Sequence, residues 1–236
     1  MADAVGIEGW GYLLVVGLAV PSGAGYSARE IGRQALPPRP LFLFSVIGQQ
    51  VLLLGLAVWV AGRESIAIPW AVTRPSGAAV MAVLLTVGLI AAGRPMWRAA
   101  VRRRDRIAYF TMPRTRGERV LWVGVSLAAG IGEEVAYRCV LFALLQRVLG
   151  SPLSAAIVAA VVFGAAHLVQ GGRASAILTG VALVFQAFVW QTGGLAAAIA
   201  VHATYDVVAG LAYGWYGARL GYPVEGVPLA GGGVPG

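Results

Sequence analysis

The 236-residue chain contains no lysine, and all 18 of its basic residues are arginine. Charge of either sign is scarce. Asp, Glu, Lys and Arg make up 12% of the residues, about half the quarter that a soluble globular domain carries. With 58% hydrophobic residues and a mean hydropathy of +0.77, this scarcity excludes water as the main solvent of the fold. The single cysteine, Cys139, excludes an internal disulfide and fits no cysteine-based metal motif. The N-terminus lacks a basic stretch and carries Asp3 and Glu8, so a cleaved signal peptide is not expected. A net charge of +8 would be compatible with nucleic acid, but the arginines lie between apolar runs and are not interleaved with exposed aromatics. Membrane topology and anionic lipid account for them better, so the expected surroundings are a lipid bilayer and no nucleic acid.

What is present is a series of apolar runs. Gly9–Pro21 is short and spans only by recruiting its flanks, whereas Leu41–Ala61 is long enough unaided, and Gly77–Gly93 follows. A basic stretch with nine arginines, Arg94–Arg119, separates these from a fourth run, Val120–Leu149, which contains Glu133, Glu134 and Arg138. Thirty residues of helix measure about 45 Å, longer than a hydrocarbon core, so the run is either one tilted or kinked helix or an interfacial piece followed by a span, and Gly130 and Gly132 mark the expected break. Pro152–Val169, Ala174–Trp190 and Gly194–Tyr213 complete the set, joined by short connections that predict antiparallel neighbours. The Gly- and Pro-rich segment 221–236 reads as a flexible tail. The fold class is therefore all-α: a single integral membrane domain over 1–236, with about seven to eight membrane helices and a polar intramembrane cavity.

Charged and imidazole groups inside apolar runs are costly and mark function by default. Glu133, Glu134, Arg138 and Asp206 fall there, as do both histidines of the chain, His167 and His202. Helical spacing puts Glu134 and Arg138 on one face as a neutralising pair, and turns Glu133 about 100° away, without a local cation. Phe163 and His167 share a face, as do His202 and Asp206. Each feature has a plainer reading: a structural ion pair for Glu134 and Arg138, interhelical hydrogen bonding for each histidine, packing for Phe163. Together they suit hydrolysis, with a low-dielectric carboxylate as general base, one histidine holding the attacking water and a second donating to a developing oxyanion. No serine or cysteine triad is in evidence. Zinc could be held by Glu133, His167 and His202, although His-Glu-x-x-His is absent, so the spacing leaves metal dependence open. A proton-coupled transporter, or a non-catalytic scaffold that binds a partner peptide, could use the same groups.

The order of the motifs, Glu133-Glu134-Val-Ala-Tyr-Arg138, Phe163-Gly-Ala-Ala-His167 and His202-Ala-Thr-Tyr-Asp206, resembles the CPBP family of type II CAAX prenyl endopeptidases and bacteriocin-processing or self-immunity proteins. Trp190 with Thr192-Gly193 also looks like the family. The resemblance covers residues 118–213, the expected catalytic core. It implies an intramembrane peptidase without a cofactor, acting on a peptide or protein at the membrane, with prenylated C-termini as one substrate class and bacteriocin immunity as the silent alternative. By the same resemblance Glu133 activates water with the help of His167, His202 and Asp206 form an oxyanion hole, and Glu134 and Arg138 hold the architecture. This chain departs from the pattern at Tyr137, at Cys139 where glycine is common, and at Asp206 where asparagine is common. An ionised Asp206 would repel an oxyanion, so it must be protonated or act by orienting His202.

With seven spans and the nine-arginine loop in the cytoplasm, 14 arginines lie inside and 3 outside, which predicts an inner-membrane protein with its N-terminus outside and its C-terminus cytoplasmic. A topology reporter fused at Arg104 should therefore report a cytoplasmic location. Detection outside the cell would overturn this orientation.

Overall fold

The computed structural model describes residues 4–30, 37–103, 105, 108 and 111–220. The expected tail 221–236 lies outside the described residues, as do Arg33, Arg104 and Arg106. Among the described residues there is no strand, and seven continuous helices account for most of the chain. They are α1 (Ile7–Glu30), α2 (Arg39–Arg63), α3 (Ala78–Arg102), α4 (116–149), α5 (Pro152–Ala166), α6 (Gly172–Thr192) and α7 (Ala196–Arg219). Five of these, α1, α2, α3, α6 and α7, are long and apolar enough to cross a membrane, and the chain is a membrane protein of the helical-bundle class. The apolar helix α5 is shorter, and α4 carries the buried charges.

Local chemistry explains where these helices begin, end and deform. Thr115 and Glu118 form a reciprocal capping box at the start of α4. Ser151 caps α5, with Pro152 at its first position. The first run, expected to be short, belongs to a 24-residue helix that contains Pro21. A proline ring crowds the carbonyl four residues back, here Gly17, and the backbone is π-helical over Val15–Ala19. The fourth run takes the first of its two expected forms, a single helix. It does not break at Gly130 and Gly132 but continues as helix, becoming π-helical over Glu134–Leu141. Those glycines serve close approach instead: a Cβ on Gly130 would stand 3.1 Å from the Ala203 Cβ of α7, and one on Gly132 would stand 3.0 Å from the Gln50 carbonyl of α2. The fifth run ends as helix at Ala166, short of Val169, and a 3-10 turn follows at Leu168–Gln170.

Contacts sort the helix ends into two groups. At one end Arg39 on α2 pairs with Glu118 on α4 at 3.0 Å, Arg94 on α3 reaches the Tyr216 hydroxyl on α7, and Leu168 lies against Gly25 of α1. At the other, the buried Glu64 carboxylate accepts from Gly6 N and Gly9 N at the head of α1 and from Arg147 of α4. There too, the backbone of Thr73 and Arg74 bonds Thr192 at the end of α6, and Leu195 N bonds Pro69 O. Consecutive helices therefore alternate in direction, as the short connections predicted. The second group of ends holds Arg63, Arg74 and Arg147, the same three arginines that the sequence set apart.

Glu64 ties three elements together at the arginine-poor end, so the variant Glu64→Ala should lose about 3 kcal/mol by leaving Arg147 unpaired. Thermal unfolding in detergent should show a melting temperature several degrees below that of the parent. An unchanged melting temperature would show that this knot contributes nothing to stability.

Candidate active site

The π-helical stretch of α4 is the most enclosed part of the molecule, with all eight residues Glu134–Leu141 buried. A π turn closes hydrogen bonds from i to i+5 and is wider than an α turn, and side chains at i and i+4 still share a face. Glu134 and Arg138 are so related: Arg138 Nε lies 3.4 Å from Glu134 Oε2, and the glutamate side chain is fully buried. The guanidinium sits 4.1 Å above the Phe163 ring of α5 and 5.7 Å from the Phe185 ring of α6. A weakly hydrated cation buried against aromatic faces recovers part of its lost hydration there. Phe163, read from sequence as packing, therefore packs on a charge.

The other Glu134 oxygen does something the spacing did not disclose. Glu134 Oε1 lies 2.8 Å from His202 Nδ1, so this carboxylate joins Arg138 on its own helix to the histidine on α7. A carboxylate oxygen only accepts, so Nδ1 is the donor and His202 Nε2 is turned the other way, 3.8 Å from Glu133 Oε2 and 3.5 Å from Asp206 Oδ2. Asp206 is placed by its backbone: its carbonyl accepts from Trp122 Nε1 of α4 at 2.8 Å, and the indole occupies the space that a Cβ on Gly210 would need.

His167 is the residue that ends α5 (φ −102°, ψ 12°). Its Nδ1 lies 2.8 Å from the Phe163 carbonyl, one of the helix-terminal carbonyls that lack an intrahelical partner. A carbonyl likewise only accepts, so Nδ1 carries the hydrogen, and Nε2 is the free nitrogen, 4.0 Å from Glu133 Oε2. Glu133 thus has one oxygen facing the Nε2 atoms of both histidines. Its other oxygen, Oε1, accepts from Gln50 Nε2 of α2 at 2.7 Å. Gln50 was not identified from the sequence. Its signal was two consecutive amides, Gln49 and Gln50, in the middle of the apolar run 41–61.

The structure thus brings Glu133, Glu134, Arg138, His167, His202 and Asp206 together near the middle of the bundle. Side-chain exposure falls from 27% at Asp206 and 20% at His167 to 10% at Glu133, so the group is reached from its Asp206 and His167 side. Cys139 is not part of it: buried, its thiol points to the Ala67 carbonyl. Trp190 and Thr192 are also elsewhere, closing the α6–α7 turn at the arginine-poor end, where Gly193 adopts φ +70°. Among the described residues no three His, Cys, Asp or Glu side chains are gathered as a metal site. Glu133 Oε2 stands 4.0 and 3.8 Å from the Nε2 atoms of His167 and His202, and Asp206 Oδ2 stands 3.5 Å from that of His202.

Residues 115–208 match the family described as type II CAAX prenyl endopeptidase, Rce1-like. The matched segment covers less than half of the chain. It begins at the capping box of α4 and ends two residues beyond Asp206, so every charged group of the site falls inside it, while Gln50 falls outside. Over this segment the chain is similar to the type II CAAX prenyl endopeptidases. Neither a curated protein nor a solved structure matches the chain.

The Glu134–Arg138 pair gives a stability test. Arg138→Met alone strands a fully buried carboxylate and should cost about 3–5 kcal/mol, whereas the double variant Glu134→Gln/Arg138→Met removes both charges and should recover much of that loss. Thermal melts of the two variants should show the double one unfolding at the higher temperature. If it unfolds no higher than the single variant, the pair is not the source of the stability.

Proposed function

We propose that the protein is an intramembrane endopeptidase that hydrolyses a peptide bond in a membrane-associated substrate, with Glu133 as the base that activates water. The reading rests on one observation: Glu133 Oε2 faces the Nε2 atoms of two histidines, His167 at the end of α5 and His202 on α7, at 4.0 and 3.8 Å. Two groups 4.0 Å apart can share one water, since a water about 2.8 Å from each would subtend roughly 90° between them. That water donates one hydrogen to Glu133 Oε2 and the other to His167 Nε2. As its oxygen attacks the scissile carbonyl, its proton passes to Glu133, which later delivers it to the departing amine.

The tetrahedral oxyanion needs a donor on the opposite side. His202 fills that role when doubly protonated, because Nδ1–H is committed to Glu134 and Nε2–H then points into the site. Asp206, 3.5 Å from that nitrogen, holds the ring when no oxyanion is present. Glu134 serves two partners, neutralising Arg138 and fixing the ring of His202. The substrate class that fits the family's description is a prenylated C-terminal peptide. The end rich in arginine faces the cytoplasm under the positive-inside rule, which places the protein in the inner membrane with its N-terminus outside.

The variant Glu133→Gln keeps the hydrogen-bonding shape and removes the base. It should fold normally in detergent and cleave fluorogenic peptides, some of them prenylated, at least 10³-fold more slowly than the parent. Parent activity should persist with a chelator present. Equal cleavage by parent and variant would refute the role of Glu133, and loss of parent activity on chelation would assign the chemistry to a metal.

A further inference from the structure

The six charged or imidazole groups of the site leave Gln50 unexplained, and its geometry is unusual for an amide in a membrane helix. Nε2 donates to Glu133 Oε1 at 2.7 Å, while its own Oε1 is buried and has no hydrogen-bond partner. A buried acceptor left unpaired is a net destabilisation, so this amide is not arranged for its own satisfaction. Nor can it turn over, because its oxygen would then meet a carboxylate oxygen. α2 comes close enough to deliver the donor because residue 132 is glycine: a Cβ there would stand 3.0 Å from both the Gln50 carbonyl and Gln50 Oε1. Among the described residues Gln50 is the one hydrogen-bond donor to the Glu133 carboxylate.

We infer that Gln50 is a positioning residue for Glu133: it pins one carboxylate oxygen so that the other faces the two histidines, and as a neutral donor it steadies the base without neutralising it. This rests on the reading of Glu133 as the base. The groups facing that carboxylate are Gln50 from α2, His167 from the end of α5, and His202 from α7 with Asp206 behind it. On its own helix the neighbours are Tyr137 and Glu134, whose oxygens are taken by Arg138 and His202. An arginine at position 50 would make a second ion pair like that of Glu134. The amide orients the carboxylate by a hydrogen bond to one of its oxygens.

The test compares the parent with Gln50→Met, which keeps length and helix preference but not the donor, and with Gly132→Ala, which displaces Gln50 without altering it. In both, kcat should fall about 10- to 100-fold with KM within about twofold. The acid limb of the kcat/KM profile should move up by about one pH unit, because the ionised base has lost its donor. A second readout needs no substrate. Dicyclohexylcarbodiimide reacts with protonated carboxyls, so labelling of Glu133 at neutral pH, followed by mass spectrometry, should be about tenfold faster in either variant. If Gln50→Met lowers the melting temperature and activity yet leaves both the acid limb and the labelling rate unchanged, Gln50 only packs α2 on α4 and the inference is overturned. If parent and Glu133→Gln prove equally inactive, the peptidase reading fails on its own, and the labelling comparison still decides the role of Gln50.

Discussion

A carboxylate with no exposed surface lies at the centre of this bundle, and the arrangement of the helices follows from what it needs. Glu134 cannot stay ionised in an apolar interior without a partner, and Arg138, on the same helix, supplies the charge. The pair is only half satisfied by itself, since Arg138 Nη1 has no hydrogen-bond partner and its guanidinium leans on two aromatic rings. The remaining lone pairs of Glu134 draw in His202 from α7. One buried charge therefore recruits α5 and α6 through Phe163 and Phe185, and α7 through an imidazole. Both members of the pair lie within the π-helical stretch over Glu134–Leu141.

Hydrophobic burial cannot hold helices against one another when lipid is as apolar as leucine, so close contact must come from small side chains and a few polar bonds. The bundle follows this rule at the site. Gly130 meets Ala203, Gly132 meets Gln50, and Gly210 makes room for the Trp122 indole whose N–H holds the Asp206 carbonyl. At Gly164, whose carbonyl accepts from Ser175, the Thr179 hydroxyl takes the place that a Cβ would need. Each contact brings in register two helices that carry charged or imidazole groups. Polar pairs, Arg39 with Glu118 and Glu64 with Arg147, tie the two ends.

Much of this is legible in sequence because polar atoms in apolar runs carry so much information. Glu133, Glu134, Arg138, His167, His202 and Asp206 stand out by residue type alone, and the structure gathers all six. Gln50 does not stand out in the same way, because an amide carries no charge and its run reads simply as a long span. Gly130 and Gly132 are visible but ambiguous, since a glycine in a helix signals a break or a close approach equally well, and only the neighbouring helix decides which. The π stretch leaves no mark that periodicity can find, because its residues are buried all round. Glu64 and Glu118 lie outside the apolar runs and look like loop charges, yet both are buried, each receiving backbone N–H groups and an arginine.

The adjacency of Glu133 and Glu134 now has a physical sense. Two neighbouring residues on a helix point about 100° apart, so one can be committed inward to an ion pair while the next faces a different set of groups. Glu134 takes the cation. Glu133 instead faces the Gln50 amide and two imidazoles. The two are coupled all the same, because His202 touches both: Nδ1 on Glu134 and Nε2 toward Glu133. The carboxylate of Glu133 and the buried ion pair therefore share a single ring. The same ring that ties α7 to the pair faces Glu133, so these groups gather at the fully buried stretch of α4 and not in one of the loops.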